Sequence, residues 1–349
     1  MIGIIYIRTD ANDILATGHV MRCLTIADAF KERKQKVIFI VSDIQSEKLI
    51  ANAGYDIINL NVDWNKLEIK REYDILIKVL MQQDVLLIDT YSVTESYVRK
   101  MRKLCKVVII DDLFKEKYSA DIIINYNLYY YLFEYDERYK DTHTILLLGG
   151  DYVPLRKQFR LCNIIKRDNI DSMSPKILLI CGGGDLHNTM NDILLYINEN
   201  NRELFKRITW YVIVGAYNTH YKELKNISLR YDNIELYRNV KNMAQIMSEC
   251  DICISAASTV LYECSAMLLP TIYYCVADNQ KYDICAFQDK MIYAGNFVDD
   301  VTYTLSNIEK GLNELIVNKE KYRDCVNKLK ELIDKDGVYN LVDAILNYK

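Results

Sequence analysis

Lys176-Ile177-Leu178-Leu179-Ile180-Cys181-Gly182-Gly183-Gly184-Asp185 is an apolar run of strand length, closed by a glycine turn and followed from about Asn188 by a helical pattern. The same order of strand, turn and helix opens the chain. Ile2 to Ile7 is apolar and Thr17-Gly18-His19-Val20-Met21-Arg22 follows; Val20, Cys23, Leu24, Ala27 and Phe30 then fall on one helical face. Val37 to Val41 completes a strand, helix, strand unit. Two such beginnings in one chain read as two α/β domains, each doubly wound about a parallel sheet.

The length of 349 residues suits two cores of roughly 150 residues each. The first domain is expected over residues 1–165. It has helical stretches around Gln45 to Ala53 and from Trp64 to Gln83, and strands at Val85 to Ile88, Val107 to Ile110, Ile122 to Ile124 and Ile145 to Leu148. The tyrosine-rich segment Tyr126 to Tyr139 reads as a loop. A polar stretch between Asn163 and Pro175, ending in Ser174-Pro175, is the linker. The second domain, 175–349, adds strands at Ile208 to Val214, Ile234 to Tyr237, Asp251 to Ile254 and Thr271 to Cys275, then three helical stretches from about Tyr303.

Composition narrows the function. Hydrophobic residues make up 50% and charged residues 26%, with three prolines, which describes a folded globular chain. A formal net charge of −4 leaves no basic excess for nucleic acid. The apolar N-terminal run lacks a basic flank and is too short to span a bilayer, so a cytoplasmic protein with no membrane partner is expected. Ten cysteines are scattered through strands and helices and read as reduced, packed thiols. Cys250 and Cys253 form a lone C-x-x-C without a second pair, so no metal is expected, and no cofactor either. A monomer is compatible with the pattern.

In parallel sheets the C-terminal strand ends line the ligand crevice. His19 stands at such an end, on the first turn of a helix, and Gly18 beside it lets backbone approach a ligand. Histidine accepts protons near neutral pH, which suits a base in hydrolysis. Asp10, Asp89, Tyr91 and Asn127 lie at other strand ends and are candidates to hold a sugar or orient His19. In the second domain, Gly182, Gly183, Gly184 and Asp185 form a turn before a helix, as do Ser255, Ala257, Ser258 and Thr259, with Glu263 one turn further on. Both turns suit a pyrophosphate, and Glu263 suits a ribose. Neither matches the G-x-G-x-x-G or the G-x-x-x-x-G-K-[ST] pattern. Asn279 and Gln280 follow the last clear strand and carry amides able to reach a sugar or a water. Ordinary helix capping accounts equally for Ser258, Asp278 or Asn279 taken singly.

Arg8-Thr9-Asp10, Thr17 to Arg22, Leu87 to Tyr91, Cys181 to Asp185, Ile254 to Ser258 and Asp278-Asn279-Gln280 occur in the order seen in the UDP-2,4-diacetamido-2,4,6-trideoxy-β-L-altropyranose hydrolases. The chain resembles that family from Ile2 to about Phe297. The resemblance implies a GT-B-like α/β architecture, two Rossmann-like doubly wound domains facing across a cleft, with UDP held mainly by the second. It implies that His19 activates water for attack at the anomeric carbon and that Asn279 holds that water. Arg8 and Arg22 join Asp10, Gly18, Asp89, Tyr91, Asn127 and Gln280 around the sugar. UDP would leave with inversion and without a metal, in pseudaminic acid or related surface-glycan synthesis. A GT-B glycosyltransferase acting on an alcohol acceptor, and a non-catalytic nucleotide-sugar sensor, remain open alternatives.

Overall fold

Residues 2–10, 18–42, 44–63, 69–164, 170, 173–215 and 218–348 are described by the computed structural model, apart from the side chains of Gln45 and Asn279. Two units divide the chain, one formed by residues 1–155 with 335–349, the other by 156–334.

The first unit begins β1 (Ile5–Thr9), α1 (Gly18–Glu32), β2 (Val37–Val41), α2 (Ile44–Asn52), β3 (Asp56–Asn59), α3 (Ile69–Leu76), β4 (Val85–Asp89) and α4 (Glu95–Met101). It continues with β5 (Lys106–Ile110), β6 (Ile122–Asn125), α5 (Tyr135–Tyr139) and β7 (Ile145–Leu148). The seven strands are ordered β3-β2-β1-β4-β5-β6-β7, with every pair parallel. Central strands covered on both faces bury every position, and β1 and β4 do so with apolar residues up to their C-terminal ends, where Arg8, Thr9 and Asp89 stand. The winding reverses where β1 meets β4, and that reversal opens the crevice of such a sheet.

The second unit contains α6 (Lys157–Leu161), β8 (Lys176–Ile180), α7 (Thr189–Asn200), α8 (Arg202–Arg207), β9 (Thr209–Val214), α9 (Tyr221–Ser228), β10 (Ile234–Arg238) and α10 (Met243–Glu249). There follow β11 (Ile252–Ala256), α11 (Val260–Ala266), β12 (Thr271–Cys275), α12 (Lys281–Phe287), β13 (Ile292–Asn296), α13 (Val301–Val317) and α14 (Lys319–Leu329). Its six strands run β10-β9-β8-β11-β12-β13, again all parallel, and the winding reverses between β8 and β11. Trp210 and Phe205, both fully buried, anchor the core beside Ile177, Leu179 and Ile254. Among the described residues no helix is long and apolar enough to cross a membrane.

The last helix, α15 (Gly337–Asn347), belongs to the first unit although the sequence pattern assigned everything from 175 to 349 to the second domain. Val338, Leu341, Val342 and Ile345 are buried where α15 packs on α1 and on the turn at Gly150–Tyr152. Gly337 permits the close approach, because a Cβ there would lie 2.7 Å from the Val153 nitrogen and 2.8 Å from its oxygen. Arg33 reaches Asp343 through Nε at 2.7 Å and Nη2 at 2.8 Å, and the Tyr339 hydroxyl donates to Glu32 at 2.6 Å. An exposed ion pair contributes at most about 1 kcal/mol, whereas each buried aliphatic side chain contributes about 1.5–3 kcal/mol. The apolar face therefore decides where α15 docks.

Other differences have local causes. β3 is an edge strand with only two apolar residues, Ile57 and Ile58, too short to show a period. β13 contains Gly295 and its register against β12 shifts between Tyr273 and Tyr274, which blurs the strand pattern. The segment read as a loop from Tyr126 to Tyr139 contains a short 3-10 turn at Tyr130–Leu132 and then α5, which buries Tyr135 and Tyr139. The helix expected from Trp64 to Gln83 is α3, Ile69–Leu76, followed by turns; residues 64–68 lie outside the described part.

Candidate functional site

In the first unit the polar residues collect at the β1/β4 reversal. Asp89 ends β4 and His19 is the second residue of α1, and His19 Nδ1 lies 2.6 Å from Asp89 Oδ1. Arg22, one turn along α1, clamps the same carboxylate from Nε to Oδ2 at 2.6 Å and from Nη2 to Oδ1 at 2.5 Å. The Cys23 thiol adds a longer bond to Oδ2 at 3.3 Å. Burial by itself would raise the Asp89 carboxyl, but Arg22 and His19 outweigh it and hold the group well below the ordinary carboxylate range. Asp89 is then a pure acceptor toward His19 Nδ1, and Arg22 Nη2 also lies 3.0 Å from that nitrogen. Tyr91 packs edge-on against the His19 ring at 4.5 Å and 88°, which fixes its plane. Burial pushes the Tyr91 hydroxyl up to about 12, so it is a neutral donor near neutrality.

Arg22 also ties β4 to the next two strand ends. Its Nη1 lies 2.8 Å from Asp112 Oδ2 and donates to the Tyr126 hydroxyl at 2.7 Å. Asn127 donates from Nδ2 to Asp112 Oδ1 at 3.0 Å and to Asn125 Oδ1 at 2.9 Å. Asn125 then donates to the Tyr135 hydroxyl at 3.1 Å, which donates to the Asp111 carbonyl at 2.8 Å. His19, Arg22, Asp89 and Asn127 are thus joined in one network, with Tyr91 against its histidine. Asp111, Asp112, Asn125, Tyr126 and Tyr135 complete it; the first four stand at strand ends that the sequence marks as crevice-lining, whereas Tyr135 carries no such signal. Asp111-Asp112 stands after an apolar run, so the strand-end rule that found Asp89 points to it as well.

Arg8 and Asp10 form a second cluster. Arg8 donates to Asp10 Oδ2 at 2.5 Å, to Ser42 Oγ at 2.6 Å and to Glu72 Oε2 at 3.5 Å, and Tyr97 donates to Glu72 at 2.9 Å. The Ser42 amide occupies the other Asp10 oxygen at 2.7 Å. Both residues are about 1% exposed, so these side chains knit β1 to its neighbours. Gly18 has open space beside it, since a Cβ there would meet nothing within 4 Å.

The glycine turn and the serine turn of the second unit meet at its own β8/β11 reversal. A Cβ on Gly182, whose φ is +58°, would stand 4.0 Å from Ser258 Oγ. Gly215 at the end of β9 presses against the Gly182 and Gly183 carbonyls, where a Cβ would come within 2.5 Å. Asp185 turns back to cap α7. Its Oδ1 accepts from the Thr189 amide at 2.8 Å and the Thr189 hydroxyl at 2.9 Å, and its Oδ2 accepts from the Met190 amide at 3.1 Å. A carboxylate already occupies that helix start, so an anion at this turn must use the backbone of the glycines instead.

Ser255 donates to the Ala256 carbonyl at 2.8 Å, and the Ala257 amide is used by Tyr274 at 2.8 Å, so both have structural partners. Ser258 accepts from the Val260 amide at 3.3 Å, and Thr259 is exposed. Glu263 receives Arg156 on Oε1 at 2.7 Å. Burial raises its carboxyl and Arg156 opposes the rise. Gln280 Oε1 closes its turn on the Val276 amide at 2.7 Å. The Asn279 side chain lies outside the described residues.

No family model matches the chain. Over 332 residues, 89% of this chain, it is 26% identical to an uncharacterised protein of Methanocaldococcus jannaschii, and it spans 65% of that protein, less than two thirds of its length. It is 24% identical over 286 residues to the UDP-2,4-diacetamido-2,4,6-trideoxy-β-L-altropyranose hydrolase of Campylobacter jejuni, covering 78% of this chain and 92% of that one. It is 25% identical over 257 residues to the UDP-N-acetylglucosamine–N-acetylmuramyl-(pentapeptide) pyrophosphoryl-undecaprenol N-acetylglucosamine transferase of Helicobacter pylori, covering 71% of this chain and 63% of that protein. Among solved structures, MurG of Acinetobacter baumannii superposes with a TM-score of 0.67 at 11% identity, covering 99% of each chain. The pneumococcal O-GlcNAc transferase GtfA, solved with UDP and GlcNAc, gives 0.63 at 10% identity, again covering 99% of each chain. The chain has the two-sheet α/β fold of the GT-B glycosyltransferases.

Proposed function

We propose that the chain cleaves the anomeric carbon–oxygen bond of a UDP-sugar, with His19 as the base that takes a proton from the attacking oxygen. The observation that carries this reading is the buried His19–Asp89 pair at 2.6 Å, clamped by Arg22. In this reading Nδ1 donates to Asp89 and Nε2 is the nitrogen that takes the proton. The attacking oxygen bonds to the anomeric carbon, its proton passes to Nε2, and the bond to the phosphate oxygen breaks. UDP leaves with that electron pair, and attack from the opposite face inverts the centre. In this reading the turns after β8 and β11 hold the nucleotide, and the strand ends around Asp89 and Asn127 hold the sugar.

The transferases among the relatives and fold neighbours support a hydroxyl acceptor, which makes the chain a glycosyltransferase. A second reading puts water in the acceptor's place, and the match along 92% of the C. jejuni hydrolase favours it. The substrate is then UDP-2,4-diacetamido-2,4,6-trideoxy-β-L-altropyranose or a close relative, on a route to a surface glycan. Incubation with a panel of UDP-sugars in heavy-oxygen water, with and without hydroxyl acceptors, separates them. UDP release that needs an acceptor marks the transferase, and release without one, with label on the free sugar, marks the hydrolase. Label on UDP, or UDP binding without turnover of any sugar, overturns both.

A further inference from the structure

Arg156 is the first residue of the second unit and immediately precedes α6. Its Nη2 and Nε both donate to Glu263 Oε1, at 2.7 and 3.2 Å, so the whole guanidinium edge is spent on one carboxylate oxygen. The segment that carries Arg156 is itself pinned to the second unit. Gln158 Oε1 accepts from the Ala244 amide at 3.2 Å, Cys162 Sγ approaches the Ala244 carbonyl at 3.6 Å, and Phe159 is fully buried with the guanidinium 5.2 Å from its ring centre. The Glu263 side chain is only 14% exposed, and it projects from α11, directly after the turn at Ser258 and Thr259 that approaches Gly182. A surface ion pair of two mobile chains does little, but here both partners are held by packed helices and the contact is two-point.

We infer that Arg156 is a positioning residue for nucleotide recognition: by engaging Oε1 with two donors it holds the Glu263 carboxylate in one orientation, and Oε2 accepts from the ribose hydroxyls. The inference rests on the proposed assignment of the α11 turn to the nucleotide. Arg156 touches neither base nor phosphate in this scheme. Its loss frees the carboxylate to rotate and removes the charge that offsets its burial.

Calorimetric titration with UDP, 2′-deoxy-UDP and 3′-deoxy-UDP tests it. The wild-type chain is expected to bind UDP about tenfold or more tightly than at least one deoxy form, the value of a hydrogen bond to a charged acceptor. In Arg156→Gln that preference is expected to shrink to about threefold or less, with UDP losing more affinity than the deoxy form it is preferred over. Arg156→Lys, which keeps the cation and one donor, is expected to recover part of the preference. If Arg156→Gln weakens all three ligands alike and keeps the wild-type ratio, Arg156 acts on the diphosphate or on the fold and the inference is overturned. If Glu263→Gln keeps the wild-type ratio, the ribose assignment itself fails, whatever Arg156 does.

Discussion

His19 and Asp89 meet across the reversal of the first sheet, one from the helix that follows β1 and the other from the last position of β4, with Nδ1 and Oδ1 2.6 Å apart. If this pair is the base, its two members fail differently. Asp89→Asn keeps the shape but can present its amide to Nδ1 and reverse the tautomer, so kcat is expected to fall about 10²–10⁴-fold with little change in KM. His19→Asn removes the acceptor itself and is expected to abolish UDP release while UDP still binds. Steady-state rates and UDP calorimetry on the two variants check both outcomes. Full turnover in His19→Asn would sink the assignment.

Acid stability follows from the same carboxylate. Burial pushes Asp89 up, but Arg22 and His19 hold it well below its ordinary value near 3.8. A depressed folded-state pKa stabilises the fold fully above the unfolded value, and that contribution is lost as pH falls toward the folded one. Denaturant unfolding of the wild-type chain is expected to weaken more steeply than that of Asp89→Asn as pH falls below about 4. Parallel curves for the two proteins would mean that Asp89 is not held ionised.

Asp185 belongs to the glycine turn in sequence and to the α7 cap in space. Asp185→Ala leaves the Thr189 and Met190 amides without their acceptor and is expected to cost about 1–2 kcal/mol of unfolding free energy. UDP affinity is expected to hold or improve, because a carboxylate leaves the anion's neighbourhood. A large loss of UDP binding at unchanged stability would make Asp185 a ligand instead.

Gly337→Ala tests the docking of α15. A Cβ there meets the Val153 backbone at 2.7 and 2.8 Å, atoms that cannot swing aside, so a loss of about 1–3 kcal/mol is expected. Arg33→Ala removes an exposed ion pair and the guanidinium's contact 4.8 Å over the Tyr339 ring, and is expected to cost about 1 kcal/mol. Denaturant midpoints rank the two, and equal midpoints would mean that the helix is not seated as tightly as the geometry requires.

The fold was legible where a buried strand stops abruptly. β8 ends in three glycines and β4 in Asp89-Thr90-Tyr91, so both strand and crevice show in the residues themselves. Where a strand lies at an edge, as β3 does, or is interrupted, as β13 is, the apolar signal is too thin. α5 was hidden because Tyr135 and Tyr139 are core residues inside a run of other tyrosines, which erases the helical period. His19 and Asp89 could be chosen one by one from strand ends, but the partners of Arg22 depend on β5 lying next to β4, and sheet order is set by packing. Arg156 gave no signal, its partner being 107 residues away.

The return of α15 to the first unit sets an order of birth. Residues 156–334 are an insertion in the middle of that unit, so on the ribosome its sheet is made first and its last helix last. At translation rates of about 5–20 residues per second the intervening stretch takes roughly ten to forty seconds. Throughout that interval the face of α1 that will receive Val338, Leu341, Val342 and Ile345 stands uncovered. A truncated copy ending before Gly337 keeps that face bare permanently, so shortening this chain at its tail is a lesion of its beginning.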